Sequence, residues 1–451
     1  MKVLVVGSGG REHALAWRLE CEGVDVLVAP GNAGVPRSAQ VQASDLDGLV
    51  ELACREGVDL TVVGPESALA AGLVDAFAAR GLAAFGPTRS AARLEWSKAW
   101  SKEFCIRHRI PTARAAIVES QSAARDAIRR TGLPVVIKAD GLASGKGVFV
   151  ALTERDVNDA LDQLFERKTL GAAAEQVLVE ELLEGPELSV LAFTDGERLA
   201  VMPPARDYKR LLDGDLGPNT GGMGGYTRPS YASSGLLQEV EQRILQPTLA
   251  GMLREGQPYR GVLYAGLMIT RDGPRLLEFN CRFGDPECQL IMPLLESPLA
   301  EICAAVVSGQ LRPDQVMWNA GRTYGVVLAT AGYPEAPQLG GPIDGLDQVA
   351  EDVLVFQAGT RRDETGQLRT AGGRVLCAVG SDRDGVYAAA ETIQFSGKHF
   401  RQDIGRDVEP LAPQPPSPAG RGEKSPNQRD PLTHERWRAC LKSEAGLTHD
   451  A

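Results

Sequence analysis

KVLVVGSGGREHAL, residues 2–15, sets the frame for everything downstream. The apolar run 2–6 enters Gly7, Gly9 and Gly10 with no intervening loop, and a helical pattern starts at Glu12. A buried strand, a glycine turn and an immediate helix open a wound α/β unit. The pattern repeats, with strands expected at 24–29 and 59–63 and helices at 12–19, 46–55 and 69–80, so a wound parallel-sheet domain should end near residue 95. The three glycines let the backbone approach a ligand closely, and the free N–H groups of the helix start would point at a phosphate. The spacing is G-x-G-G-x-E, and Glu12 stands where a third glycine would permit tight helix packing, which weakens a dinucleotide reading. Arg11 adds a cation to this loop, and APGNAG (29–34) and VGPE (63–66) place further tight turns after the next strands. Any one of them is explained as an ordinary β–α turn. Together, at the carboxyl ends of a wound sheet, they favour a site for a small phosphorylated substrate.

A second block, from about 97 to 308, alternates helices at 123–130 and 236–253 with strands at 135–138, 177–181, 188–194 and 261–270, some of them hairpin-like, so it is α+β. A third, from about 323 to 409, is richer in strands, at 324–329, 353–358 and 374–379. From 412 the chain reads APQPPSPAGRGEKSPNQRDP, which buries too little apolar surface to offset chain entropy; a disordered tail is expected, with one short helix around Trp437. With 48 Lys+Arg against 59 Asp+Glu, the net charge of −11 argues against general affinity for nucleic acid or anionic membranes. The opening apolar run is too short for a signal sequence and no window is long enough to span a membrane, so a cytoplasmic protein is expected. The eight cysteines are scattered without a C-x-x-C pair, and Cys281 and Cys288 lack zinc spacing; they read as reduced, buried small hydrophobes.

Chemistry concentrates in LLEFNCRFGDPE, residues 276–287. Glu278 and Asn280 fall on the same side of an expected strand, and their hard oxygens suit magnesium, which takes its other ligands from phosphates and water. Arg282 shares that parity if the strand continues, placing a cation beside the metal. The alternative is a solvated strand end that caps a turn. Upstream, Lys138 leads into ADGLASGKGV (139–148). It departs from a P-loop by one residue of spacing and by Gly147 in the hydroxyl position; a glycine lid carrying Lys146 over nucleotide phosphates fits better, with a plain hairpin turn as the alternative. In VLVEELLEGPELSV (177–190), backbone groups from Glu180 to Leu183 at a strand end can read an adenine edge and Glu187 can bond ribose hydroxyls, though acidic turns are often merely solvated. DYKR (207–210) and GPNTGGMGGY (217–226), with five glycines beside Asn219 and Thr220, form a backbone-rich loop able to hold a small polar molecule.

In this order, KVLVVGSGGREHA, VAPGNAG, TVVGPE, VIKADGLASGKGV, GPNTGGMGGY, LYAGLM and EFNCRFGDPE resemble the phosphoribosylamine–glycine ligases, the glycinamide ribonucleotide synthetases of the ATP-grasp superfamily, over residues 1–409. The resemblance implies an α/β fold with an N-terminal wound substrate-binding domain (1–96), a central α+β ATP-grasp domain (97–310), a small strand-rich C-terminal domain (311–410) and the tail (411–451). It implies ATP-dependent ligation of glycine to 5-phosphoribosylamine through a glycyl phosphate, in purine biosynthesis. Magnesium, or manganese, would be held by Glu278 and Asn280. ATP would be surrounded by Lys98, Lys138, Gly145, Lys146, Glu180, Glu181, Leu183 and Glu187. The phosphorylated amine would be held by Gly9, Gly10, Arg11, Gly31, Asn32, Pro65, Glu66 and Arg282, and the glycine and ribose end lined by Asp207, Lys209, Asn219, Thr220, Gly221 and Gly222. Arg282 and Lys146 would act directly in catalysis. The partners are those small molecules alone, acting on a monomer. Tyr208 replaces a usual histidine, Ser144 and Gly225 replace usual alanines, and Pro186 replaces a usual glutamate, which puts the ribose contact near Glu187 in question. A different ATP-grasp ligase or carboxylase would keep the nucleotide residues without GPNTGGMG. A nucleotide-binding regulator would lack the reason to combine Glu278, Asn280 and Arg282.

Overall fold

The computed structural model describes residues 1–142, 147–167 and 171–406; Gly145, Lys146 and the Pro-rich tail lie outside them. Strands Lys2–Gly7, Asp25–Pro30, Leu60–Val63 and Ala84–Phe85 form one parallel sheet in the order second, first, third, fourth. Residues 3–6 are apolar without a break because helices cover both faces of the sheet. Val3 and Val5 enter one core with Leu15 and Leu19, while Leu4 and Val6 enter the opposite one with Leu49 and Leu52. The chain crosses first to one side of the opening strand and then to the other, so the carboxyl end of that strand borders the crevice where wound sheets take ligands. The helix expected at 69–80 is two helices, Glu66–Ala71 and Leu73–Ala79, because Gly72 between them has φ +94° and ends the first.

Two larger antiparallel sheets follow, besides the two-stranded pairs Arg210–Leu212 with Leu216–Asn219 and Thr360–Arg362 with Leu368–Thr370. The smaller places Ala115–Val118, Val177–Glu181, Val135–Ala139 and Val148–Ala151 side by side in that order, over a core containing Ile128, Ile137 and Val179. The larger has nine strands. It runs from Gly273–Asn280 through Gly261–Thr270, Glu187–Thr194, Ala205–Asp207 and Gly224–Thr227 into Tyr324–Ala329, Arg374–Gly380 and Leu354–Gln357, with Leu199–Val201 beside Glu187–Thr194. The C-terminal strands therefore do not stand alone: Tyr324 to Val326 pair with Tyr226 to Gly224, continuing the central sheet. The helix expected at 236–253 contains a five-residue wide turn, Glu241–Leu245, between Ser234–Val240 and Gln246–Arg254. Pro247 follows just after that wide turn, inside a continuous helix, and has no N–H to donate back into it. Among the described residues no helix is long and apolar enough to cross a membrane.

Candidate active site

A cleft of about 740 Å³ opens between the two antiparallel sheets and reaches the loops of the N-terminal sheet. Its floor is the end of strand Gly273–Asn280. Glu278 and Asn280 both line the cleft, as same-face residues of one strand should. Burial pushes the Glu278 carboxyl up, but the cations of Lys209, Lys138, Lys98 and Arg282 outweigh it and hold the group below the usual carboxylate range. Its carboxylate makes no hydrogen bond or close ion pair with the described residues, leaving an ionised hard-oxygen donor aimed at the cleft. Such a donor beside an amide oxygen fits magnesium, which binds through one or two protein oxygens and fills its shell from phosphates and water.

The strand stops at Asn280, so Arg282 does not share its register; it reaches the same place from the following loop. Its guanidinium donates to Asn280 Oδ1 (3.3 Å) and pairs with Glu66 Oε2 (3.1 Å) and Glu95 Oε1 (3.1 Å). Burial pushes Glu66 up, yet Arg282 and Arg11 bring it down to about 2. Burial raises Glu95 against the pull of Arg282, and the other Glu95 oxygen accepts the Cys281 N–H (2.7 Å).

Between the sheets the residues expected to surround ATP assemble around Glu180, only 3% exposed. Its two oxygens each pair at 2.8 Å, one with Lys102 and one with Lys138. The Glu180 side chain therefore fixes two lysines, and Lys138 also donates to the Leu277 carbonyl (3.1 Å). Lys98 opens the helix Lys98–Arg107 and donates to the Gly141 carbonyl (3.1 Å). Burial lowers its pKa, with Glu278 opposing. Glu181 is bound by Arg114 through the backbone N–H (2.9 Å) and Nε (2.8 Å), while Leu183 lines the cleft just past the strand end. Glu187 accepts from Lys209 (2.9 Å).

On the far side, Asp207, Lys209, Asn219, Thr220 and Gly221 line the cleft. Burial pushes Asp207 up to about 7, with Lys209 opposing and Glu287 and Glu187 adding to the rise. Burial pulls the Lys209 amine down, but Asp207, Glu187 and Glu278 together hold it well above its ordinary value. Tyr208 points the other way, into the C-terminal core between the guanidinium groups of Arg206 and Arg401, with centres 4.9 and 4.6 Å from its ring. The tyrosine in place of histidine thus lies outside the cleft. Gly222 is also not a lining residue. At φ +114° it lets the loop pass Pro286, whose Cδ would lie 2.6 Å from a Cβ at this position.

The N-terminal loops divide. Arg11, Pro65 and Glu66 line the cleft, whereas Gly9, Gly10, Gly31 and Asn32 do not. The Gly9 N–H expected to face a phosphate is donated instead to Glu12 (2.6 Å), whose carboxylate fills the space against Gly7 and Gly64. Asn32 spends its amide on the Ser8 (3.0 Å) and Gln357 (2.8 Å) carbonyls, tying the turns together. Glu95, Lys102 and Arg374 also line the cleft, and no motif marks them; Glu287, the last residue of the 276–287 stretch, lines it too. Among the described residues no histidine lines it.

Residues 96–288 match the family model described as phosphoribosylglycinamide synthetase, ATP-grasp (A) domain, which with this cleft makes the chain an ATP-grasp carboxylate–amine ligase. The N-domain and C-domain models of that synthetase match residues 1–95 and 323–407. A phosphoribosylamine–glycine ligase of Xylella fastidiosa is 46% identical over 90% of this chain and 97% of its own length. The trifunctional purine biosynthetic protein adenosine-3 of Gallus gallus is 48% identical over 90% of this chain, which spans 42% of that longer protein. The crystal structure of a phosphoribosylamine–glycine ligase from Thermotoga maritima superimposes with a TM-score of 0.76 at 35% identity, covering 90% of this chain and 100% of that one. A biotin carboxylase from Campylobacter jejuni, at TM-score 0.68 and 14% identity over 88% of this chain and 92% of its own, shares the fold alone. The chain belongs to the phosphoribosylamine–glycine ligase family.

Proposed function

We propose that the chain joins glycine to 5-phosphoribosylamine, using ATP and forming glycinamide ribonucleotide, ADP and phosphate through a glycyl phosphate. One observation carries this assignment: a single cleft brings the lysines fixed by Glu180 and the free carboxylate of Glu278 against the Asn219–Gly221 loop and the Arg11, Glu66 and Arg282 cluster. A carboxylate is a poor electrophile and needs activation before an amine can displace one of its oxygens. Lys98 and Lys138 would orient the phosphates of ATP, with the Glu180 to Leu183 segment against the base and Glu187 at the ribose. Magnesium, or manganese, held by Glu278 and Asn280 would offset charge on the transferring phosphoryl group. Lys146 and Gly145, assigned from sequence only, would cover the phosphates.

A glycine oxygen attacks the terminal phosphorus, ADP leaves, and the amine of phosphoribosylamine then attacks the acyl carbon and expels phosphate. Asp207, Lys209 and the 219–221 loop would hold glycine, and Arg11 and Arg282 the phosphate of the amine. With the reactants held in line and water excluded, the barrier falls through positioning and charge. A cytoplasmic monomer with no nucleic-acid or membrane partner belongs to this proposal, and the net charge of −11 supports the absence of polyanion binding. The test of the intermediate is isotopic. With glycine bearing heavy carboxylate oxygens, the released phosphate should carry one of them; unlabelled phosphate would rule out the acyl phosphate.

A further inference from the structure

Gly221 lines the cleft, and both of its backbone polar atoms are held from the C-terminal segment. Its N–H donates to the Tyr333 hydroxyl (3.0 Å), and its carbonyl accepts from Arg374 Nη1 (2.6 Å). The same guanidinium donates to the carbonyl of Asp285 (2.9 Å) and pairs with its carboxylate (3.1 Å). Asp285 lies in the turn after the strand that carries Glu278 and Asn280, so one arginine joins the glycine-rich loop to the metal-ready strand end. The fit is close: a Cβ at Gly221 would stand 2.9 Å from Arg374 Cζ. A second tie holds the hairpin Arg210–Leu212 and Leu216–Asn219 that leads into the loop. Fully buried Arg401 donates to the Arg210 carbonyl (3.1 Å) and pairs with Asp215 (2.8 Å), and Asp403 accepts the Gly214 N–H (2.9 Å).

A loop with five glycines in residues 217–226 loses much chain entropy on ordering. If only a fraction of molecules hold it in the binding geometry, apparent affinity drops by that fraction. We propose that Arg374 and Tyr333 are positioning residues that preset the Gly221 backbone for the glycine substrate, so that the C-terminal segment governs glycine affinity. The proposal rests on the assignment of the 219–221 loop to the glycine end.

Steady-state kinetics on the full chain test it, with Tyr333→Phe, Arg374→Ala and Arg374→Lys against wild type. Tyr333→Phe removes one acceptor and keeps the ring, so the KM for glycine should rise about threefold to tenfold. Arg374→Ala should raise it by about tenfold or more, with Arg374→Lys between, since a lysine restores charge without the two-sided fork. In Tyr333→Phe, whose ring lies outside the cleft, the KM for ATP and kcat at saturating glycine should stay within about twofold of wild type, a split that general loosening of the fold would not produce. Unchanged glycine KM in Tyr333→Phe and Arg374→Ala, or a fall in kcat with glycine KM unchanged, overturns the proposal alone. Wild-type ADP release that ignores glycine overturns the functional assignment and this proposal together. If Arg374→Ala fails to fold, Tyr333→Phe decides.

Discussion

Glu278→Gln is expected to lower kcat by about a hundredfold or more while changing the affinity for ATP only a few fold. The substitution keeps size and one oxygen donor but removes the single charge that faces the cleft without a hydrogen-bonding or ion-pairing partner among the described residues. Charge on the transferring phosphoryl group is greatest in the transition state, so a weakened metal site acts mainly there. Lys98, Lys138 and Lys209 still surround the position, so ground-state attraction for the nucleotide phosphates persists. Asn280→Ala should act in the same direction and less strongly, because its oxygen is already shared with Arg282. Turnover and equilibrium ATP binding measured side by side check the split, and wild-type turnover in Glu278→Gln at ordinary magnesium would remove Glu278 from the chemistry.

Arg282→Met should be the most damaging single change to stability in the site. The guanidinium lies between Glu66 and Glu95, and Glu95 is buried, raised by its burial and steadied by this arginine. Taking one partner from a buried ion pair leaves an uncompensated charge and costs about 3–5 kcal/mol. Adding Glu95→Gln should recover part of that loss by removing one stranded carboxylate. Denaturant midpoints of the single and double variants measure it. A midpoint equal to wild type in Arg282→Met would mean that water reaches the cluster and that the arginine is kept for ligand binding alone.

What the chain discloses without coordinates follows from the range of each signal. The strands of the first sheet are legible because both faces are buried, and the apolar runs are therefore continuous. The break at Gly72 is not, since an isolated glycine inside a helical pattern can be tolerated within the helix or can end it. The pairing of Gly224–Thr227 with Tyr324–Ala329 joins segments far apart in sequence, and hydrophobic period says nothing about which strand is the neighbour. In the site, Glu278, Asn280, Lys138, Asp207 and Asn219 sit in recognisable strings and do line the cleft. Glu95, Lys102 and Arg374 take their positions from burial and from a partner on another element, for which one sequence holds no pattern. Glu12 is visible in the place of a third glycine, but that its carboxylate takes the Gly9 N–H depends on the turn geometry. For Tyr208 strand alternation is no guide, because the strand ends at Asp207 and the residue takes its direction from the C-terminal core it enters.

The assignment meets its most direct test in ADP release by the purified full chain with ATP and magnesium, omitting glycine and freshly generated phosphoribosylamine in turn and offering bicarbonate in place of glycine. Full release is predicted only with glycine and the amine together, accompanied by stoichiometric glycinamide ribonucleotide. ADP release that is indifferent to glycine, or that bicarbonate supports equally well, would contradict it and place the chain with the carboxylases that share only its fold.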